Sequence, residues 1–234
     1  TWKSEGFSST EAIQAAAGNP DAQQAVIVMQ HYEERLLAYQ SVDFDDLINL
    51  PLKLLREHED VREKWQKLLG HVLVDEYQDT SSTQYELLRL LTGDRAAFTC
   101  VGDDDQSIYA WRGATLDNLR RLPQDYPQLK VIKLEQNYRS VNSILKAANS
   151  VIGSNPKLFE KTLWSDLGEG EPVRVVGSDH EEHEAERAVQ HIQRLQRQGE
   201  DDFLAGRVQR RPQWSDYAIL YRANHLARVF EQSL

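Results

Sequence analysis

Short apolar runs alternate with helical stretches after Gly70, and this alternation restricts the fold of the chain more than any other feature of its sequence. The runs read HVLV, AFTCVG, KVIKL, PVRVV and DYAILY. Strands that alternate with helices are typical of a parallel sheet covered by helices, so the sequence predicts an α/β fold. The residues before this part carry helical patterns only, including one in which Asn19 precedes a helix that begins at Pro20.

Two adjacent carboxylates, Asp75 and Glu76, directly follow the run HVLV, which we interpret as a buried strand. Ligands of open parallel sheets bind at the carboxyl ends of the strands. At such a place an aspartate can hold Mg²⁺ and a glutamate can take a proton from an attacking water, as a nucleoside-triphosphate site requires. The alternative is an acidic loop before a helix that begins with a capping box of Ser81 and Gln84. The two interpretations are compatible, because capping does not explain a carboxylate pair at a strand end.

The segment VGDDDQSIYAWRGA follows the second run and carries further candidate residues. Gln106 can sense a phosphate through hydrogen bonds without adding charge. Tyr109, Trp111 and Arg112 suit a platform for single-stranded nucleic acid, on which a ring stacks against a base and a guanidinium binds a phosphate. The alternative is that Trp111 lies in the hydrophobic core, but the three nearby acids favour a solvated loop.

The segment LEQNYRS follows the third run and ends at the junction with a predicted helix. Arg139 at this junction could reach a triphosphate, and Tyr138 could stack on a nucleobase. Taken alone, the segment is more typical of an ordinary polar turn.

The composition limits the classes of partner. A net charge of −10 argues against a general coat of nucleic acid but not against a local basic groove, which the segments AWRGA, NYRS and RVQRR could line. The single cysteine, Cys100, excludes a disulfide framework within the chain and favours a reducing cytosol. No apolar run approaches the roughly 18 residues of a membrane span, so we expect no membrane partner.

Taken together, the segments LVDEYQDTSSTQYELL, VGDDDQSIYAWRGA and LEQNYRS closely resemble superfamily 1 DNA helicases of the Rep, UvrD and PcrA type, and the Rep group most closely. The segments VDFDDLI and YAILYRANHLARVFE, before and after them, fit the same family. This resemblance implies RecA-like P-loop NTPase motor domains with parallel sheets, preceded by a helical insertion. It also implies ATP and Mg²⁺ as cofactors, 3′-to-5′ movement on single-stranded DNA, and unwinding of duplex DNA in replication or repair.

The same resemblance implies the partners and the location of the protein. We expect it to bind single-stranded DNA and junctions between single and double strands, together with replication or repair proteins. A monomer or a weak dimer in the bacterial cytoplasm, associated with the nucleoid, is expected.

The resemblance assigns catalytic roles to four residues. Asp75 is similar to the Mg²⁺ ligand of the family, and Glu76 to the base that activates water. Gln106 is similar to the residue that couples the γ-phosphate to DNA, and Arg139 to an arginine finger supplied by the second motor domain.

Further residues are assigned to binding by the same resemblance. Tyr138 is similar to the residue that stacks on the adenine, and Trp111 to the base-stacking ring of a DNA site that also includes Tyr109 and Arg112. The last recognisable motif contains Arg222 and the expected nucleotide contacts Arg228 and Glu231, but it has Ala227 where the family usually has serine.

By the same resemblance, residues 1–42 are the end of the helical subdomain 1B, 43–133 are the second part of motor domain 1A, and 134–234 are the first part of motor domain 2A. No Gly-Lys pair occurs in the sequence, so the phosphate loop G-x-x-x-x-G-K-[ST] is missing. We therefore expect a fragment, with that loop before residue 1 and later motifs after Leu234. The fragment alone should neither hydrolyse ATP nor unwind DNA, and the full-length parent is the expected enzyme.

Two rival interpretations remain open at this stage. A non-catalytic DNA-binding or partner-docking module that retains the helicase fold would also lack a phosphate loop. A nuclease-linked relative of the same superfamily is the other, although no added nuclease motif is visible in the sequence.

Overall fold

The N-terminal part of the chain folds into helices, as its sequence predicts. The computed structural model describes residues 2–234, and its first four helices are α1 (Ser9–Ala15), α2 (Pro20–Ala38), α3 (Asp46–Glu57) and α4 (Glu59–Leu68). The Asn19 side chain accepts hydrogen bonds from the N–H groups of Asp21 and Ala22, which confirms the predicted start of α2 at Pro20. Helices α1 and α2 share a small core of Ala12, Ala16 and Val26.

A parallel pair of short strands follows the helices. Strands β1 (Val72–Val74) and β2 (Phe98–Cys100) are joined by helix α5 (Ser82–Thr92). Val72 lies opposite Phe98, and Val74 lies opposite Cys100. These four side chains pack against the main core, which also receives residues from helix α6 (Asp117–Asp125) and consists of Tyr77, Tyr85, Leu88, Leu119 and Leu122. The α/β character and the parallel pairing agree with the prediction.

The extent of the sheet differs from the prediction in two respects. β1 is not buried on both faces, because the Leu73 side chain is 79% exposed. The runs KVIKL, PVRVV and DYAILY form no strands in residues 2–234, and the Val175 side chain is 97% exposed. A strand needs a neighbour that pairs with its backbone N–H and C=O groups, and within the described residues these runs have none. The nearest pairing is a single parallel bridge between Gln136 and Trp164.

The chain divides into two compact units, Thr1–Gly170 and Glu171–Leu234. The first unit ends with helix α7 (Asn142–Ile152) and the irregular segment after it. The second contains helices α8 (Glu181–Leu204) and α9 (Ala227–Ser233), which pack against each other. In residues 2–234 no helix combines the length and the hydrophobicity that crossing a membrane requires.

A charged cluster fastens the N-terminal segment to the start of α3. The Lys3 ammonium lies 2.8 Å from Asp43 Oδ2 and 3.0 Å from Asp46 Oδ1. The Asp46 N–H donates to Asp43 Oδ1 at 2.9 Å. Burial works to raise the pKa of Asp43, but hydrogen bonds from Lys3, from the Asp46 N–H and from Tyr32 outweigh it and lower the pKa from 3.8 to about 2.

The lowered pKa of Asp43 predicts a pH-dependent contribution to stability. A carboxyl whose pKa is lower in the folded state stabilises the fold at pH values above the pKa that the same group has in the unfolded state, which is near 4. This contribution is lost as the pH falls toward 2. The difference in free energy of unfolding between wild type and Asp43→Asn should therefore shrink by roughly 2 kcal/mol from pH 6 to pH 2.5, at about 1.4 kcal/mol per pKa unit. Urea unfolding at both pH values measures it. Asp94→Asn, which alters an exposed carboxylate, is the control, and a pH-independent difference for Asp43→Asn would contradict the prediction.

Candidate functional site

The loops after β1 and β2 lie side by side, because the two strands are parallel neighbours. The Val101 N–H donates to the Val74 carbonyl at 2.8 Å, and the Tyr77 N–H donates to the Val101 carbonyl at 2.9 Å. The pairing thus continues past the ends of both strands. It brings the loop that carries Asp75 and Glu76 next to the loop that carries Gln106.

Asp75 and Glu76 are both exposed at this edge of the sheet. Glu76 has left-handed backbone angles, φ 48° and ψ 44°, which cost a residue with a side chain about 1 kcal/mol or more. The Glu76 N–H donates to Asp75 Oδ1 at 2.9 Å and helps to hold this conformation. Strained backbone of this kind is concentrated at functional sites. Asp75 also suits the way proteins bind Mg²⁺, which takes one or two carboxylates together with phosphate oxygens.

The buried amide of Gln78 contacts one of these carboxylates and was not predicted from the sequence. The Gln78 side chain is only 1% exposed. Its Nε2 donates to Glu76 Oε2 at 2.7 Å, and its Oε1 accepts from the Asp103 N–H at 3.0 Å. A glutamine within an acidic segment predicts an exposed loop, so the sequence carries no signal for this contact between loops.

The loop after β2 is organised around Asp103. The exposed Gln106 side chain donates to Asp103 Oδ2 at 2.8 Å through its Nε2. The Lys161 ammonium lies 2.5 Å from Asp103 Oδ1, 2.5 Å from Asp104 Oδ1 and 3.0 Å from Asp105 Oδ2. The acids themselves are not solvated, because the Asp104 side chain is 4% exposed and accepts a hydrogen bond from the Leu158 N–H at 3.0 Å, whereas the loop after them is exposed as expected.

Lys161 determines the charge state of this cluster. Burial works to raise the pKa values of Asp103 and Asp104, but hydrogen bonds from Lys161 outweigh it and hold both pKa values below the ordinary one. Burial works to lower the pKa of Lys161, and its carboxylate partners outweigh that effect and raise it. The three carboxylates are close enough to hold a metal ion, but the Lys161 ammonium already lies within ion-pair distance of all three and offsets part of their charge. The cluster is therefore a structural ion-pair network.

The capping box at the start of α5 is confirmed. The Ser81 hydroxyl accepts from the Gln84 N–H at 3.3 Å, and Gln84 Oε1 accepts from the Ser81 N–H at 2.9 Å. Capping therefore accounts for Ser81 and Gln84, whereas Asp75 and Glu76 lie outside it.

Tyr109, Trp111 and Arg112 form an exposed aromatic platform. The Trp111 side chain is 75% exposed, which excludes the alternative that it lies in the core. The Arg112 guanidinium lies 4.8 Å from the centre of the Trp111 ring and 5.4 Å from that of Tyr109, within the range of cation–π attraction. Tyr109 and Arg112 also line a pocket of 470 Å³ whose other walls include Phe44, Asp79 and Gln84.

Buried Asn118 on α6 ties this region to the loop after β1. Its side-chain amide donates to the carbonyls of Thr80 and Ser81, both at 3.0 Å. The Thr115 N–H also donates to the Thr80 carbonyl at 3.1 Å. The chain segment that carries the platform is thus attached directly to the segment that carries the two carboxylates.

The remaining candidate residues are exposed. Asn137 Oδ1 accepts from the N–H groups of Arg139 and Ser140, so LEQNYRS does form a polar turn before α7. The Tyr138 hydroxyl donates to Gln136 Oε1 at 2.9 Å, and its ring faces solvent. The three charged candidates in the unit Glu171–Leu234 are also exposed, namely Arg222, Arg228 and Glu231.

The basic segment RVQRR is neutralised within its own unit. Arg207 pairs with Asp202 at 2.9 Å, Arg210 with Asp216 at 2.5 Å and Arg211 with Glu200 at 2.7 Å. The suggestion that these arginines line a basic groove therefore has no support from their contacts.

Comparison with known proteins identifies two regions of the chain. Residues 1–127 match the UvrD/REP helicase N-terminal domain, and residues 132–234 match the UvrD-like helicase C-terminal domain. Over its whole length the chain is 49% identical to ATP-dependent DNA helicase Rep of Escherichia coli (strain K12) and covers 33% of that protein. It is 39% identical, over 94% of its length, to ATP-dependent DNA helicase PcrA of Leuconostoc citreum, of which it covers 28%. The chain thus spans about a third of the length of these relatives.

Loss of Lys161 should destabilise the fold more than loss of an exposed lysine. Lys161→Met leaves three carboxylates without their cation, one of them buried, and should lower the free energy of unfolding by about 3 kcal/mol. Lys146→Met is the matched control, because Lys146 pairs with Glu169 where both side chains are exposed, and it should cost less than about 1 kcal/mol. Urea unfolding at neutral pH compares the two variants. Equal losses would show that the Lys161 network does not stabilise the fold.

Proposed function

We propose, from the premise that this chain belongs to the UvrD/Rep helicase family, that the full-length protein is an ATP-dependent DNA helicase. The observation that carries the proposal is the meeting of two loops at the carboxyl edge of β1 and β2. One presents Asp75 and Glu76, and the other presents Gln106 and continues into the aromatic platform. A nucleotide site and a nucleic-acid platform on adjoining segments are what a motor requires to couple the two ligands.

Asp75 and Glu76 supply the chemistry of hydrolysis in this proposal. Asp75 would hold Mg²⁺, which neutralises phosphate charge when it is bound. Glu76 would accept a proton from the attacking water, a role that suits an exposed carboxylate at the carboxyl end of a strand. Gln106 would sense the γ-phosphate and pass the change to the platform.

The remaining nucleotide contacts come from later segments. Tyr138 would stack on the adenine, and Arg139 would stabilise the charge that develops on the transferred phosphate. Arg228 and Glu231 on α9 would complete the nucleotide site. The sequence contains no Gly-Lys phosphate loop, so turnover is proposed for the full-length protein and not for residues 1–234 alone.

The DNA site of the proposal is the platform of Tyr109, Trp111 and Arg112. The exposed Trp111 ring would stack on a base of a single strand while Arg112 binds a phosphate. Movement along that strand from 3′ to 5′ would separate duplex DNA at junctions during replication or repair. We place this activity in the bacterial cytoplasm at the nucleoid, performed by a monomer or a weak dimer with replication or repair proteins as partners.

We also propose a division of the chain into RecA-like parts. Residues 1–42 would belong to a helical insertion, 43–133 to the first motor domain and 134–234 to the second. The parallel pairing of β1 with β2 supports a RecA-like first domain. The change from one matched helicase region to the other between residues 127 and 132 supports a boundary in this part of the chain.

Removal of the proposed base should abolish turnover. Glu76→Gln in the full-length protein should lower ATP hydrolysis stimulated by single-stranded DNA on the order of 10² to 10⁴-fold, because the attacking water loses its proton acceptor. Glu63→Gln, on the exposed face of α4, is the matched control and should leave the rate unchanged. A wild type that binds DNA but hydrolyses no ATP would instead show that the fold serves binding alone.

Removal of the exposed indole should weaken DNA binding. Trp111→Ala in the full-length protein should reduce affinity for a single strand by about 1–3 kcal/mol, the usual value of one stacked base. Fluorescence anisotropy with a labelled oligonucleotide measures the loss. Trp65→Ala, which removes a partly exposed ring from α4, is the control. An unchanged affinity for Trp111→Ala would remove this ring from the DNA site.

A further inference from the structure

The buried Gln78 side chain contacts both loops of the proposed nucleotide site through its amide. Its Nε2 lies 2.7 Å from Glu76 Oε2 and 3.5 Å from Asp79 Oδ2. Its Oε1 lies 3.0 Å from the Asp103 nitrogen. The partners fix the orientation of the amide, because a reversed group would place its oxygen against a carboxylate and its NH₂ against a backbone N–H.

Gly102 allows this close contact between the loops. A Cβ atom at Gly102 would lie 2.8 Å from Gln78 Oε1 and 3.3 Å from the backbone nitrogens of Gln78 and Tyr77. The first of these separations is shorter than any real Cβ contact, so a side chain here would displace the amide. The lack of a side chain at Gly102 thus leaves room for the Gln78 amide in its observed position, and no positive φ angle is involved.

The same contacts continue to the end of the loop after β2. The Asp103 residue that donates its N–H to Gln78 accepts a hydrogen bond from the Gln106 side chain at 2.8 Å. A continuous polar path therefore runs from Gln106 through Asp103 and Gln78 to the Glu76 carboxylate. Asp103 is therefore shared between Gln106 and the amide that donates to Glu76.

We propose that Gln78 is a positioning residue that aligns the Glu76 carboxylate and couples its position to that of Gln106. The inference rests on the proposed function, in which Glu76 is the base and Gln106 is the phosphate sensor. Glu76 has a strained backbone conformation and an exposed side chain. The hydrogen bond from the Gln78 amide therefore restricts the rotamers that the Glu76 side chain can adopt. Gln78 touches no reacting atom and acts only through Glu76 and Asp103.

Gln78→Glu in the full-length protein tests the hydrogen bond to Glu76 separately from the hydrogen bond with the Asp103 N–H. The new side chain keeps an oxygen that accepts from the Asp103 N–H, but it replaces the donor to Glu76 with a second carboxylate oxygen. The rate of ATP turnover at saturating DNA should fall roughly 10- to 100-fold, the cost of a misplaced catalytic group. KM for ATP and the affinity for a single strand should change less than threefold. Gln66→Glu is the matched control, because the Gln66 amide donates to the Leu90 carbonyl, away from both loops.

Gly102→Ala tests the same contact without altering Gln78, and it decides the matter if Gln78→Glu does not fold. It should reproduce the fall in turnover with little change in KM. Gly70→Ala is its control, because a Cβ at Gly70 meets nothing within 4 Å. The thermal midpoint of each variant, recorded beside its rate, separates misplacement of Glu76 from loss of fold.

The coupling itself is tested by combining Gln78→Glu with Gln106→Ala. Residues that act along one path are not independent, so the double variant should be no more than threefold slower than the slower single variant. Fold-losses that multiply would overturn the coupling. Turnover within threefold of wild type in both Gln78→Glu and Gly102→Ala, with Glu76→Gln inactive, would overturn the positioning role and leave the proposed function intact. A fully active Glu76→Gln would overturn both.

Discussion

The parallel pairing of β1 with β2 is the constraint on which the candidate site depends. Parallel strands place both of their carboxyl ends at one edge of the sheet, and the pairing continues through the Val101 and Tyr77 backbone. The two loops therefore meet although their contacting residues Gln78 and Asp103 are 25 positions apart in the sequence. Antiparallel pairing of the same residues would send the loops to opposite edges, and the two carboxylates would then face no second loop.

Where the loops meet, polar groups are buried, and a buried polar group is costly unless it is hydrogen-bonded. Three side chains from different parts of the chain meet this requirement. Gln78 satisfies the Asp103 N–H, Asn118 satisfies the Thr80 and Ser81 carbonyls, and Lys161 forms ion pairs with the carboxylates of the second loop. These three side chains lie below the exposed candidate residues and fix the backbone that presents them.

Local patterns predicted the local features of this protein. The caps at Asn19 and Ser81 and the positions of β1 and β2 depend on neighbouring residues and are confirmed. The site as a meeting place of two strand ends was also predictable. Gln78, Asn118 and Lys161 were not, because each contacts residues 25 or more positions away and no local period marks them. The runs KVIKL, PVRVV and DYAILY were wrongly predicted as strands, since apolar composition does not reveal whether a pairing neighbour is present.

The distribution of arginines indicates how the proposed DNA site is compatible with an acidic chain. A phosphate that approaches the RVQRR segment must displace Asp202, Asp216 or Glu200, so the gain from each new ion pair is offset by the loss of an old one. Among the ion pairs of residues 2–234, none includes Arg112, whose guanidinium lies over two rings. A single strand bound there would gain more from stacking than from charge. Stacking is little affected by salt, so binding to such a platform tolerates a net charge of −10 better than binding through many phosphate contacts would.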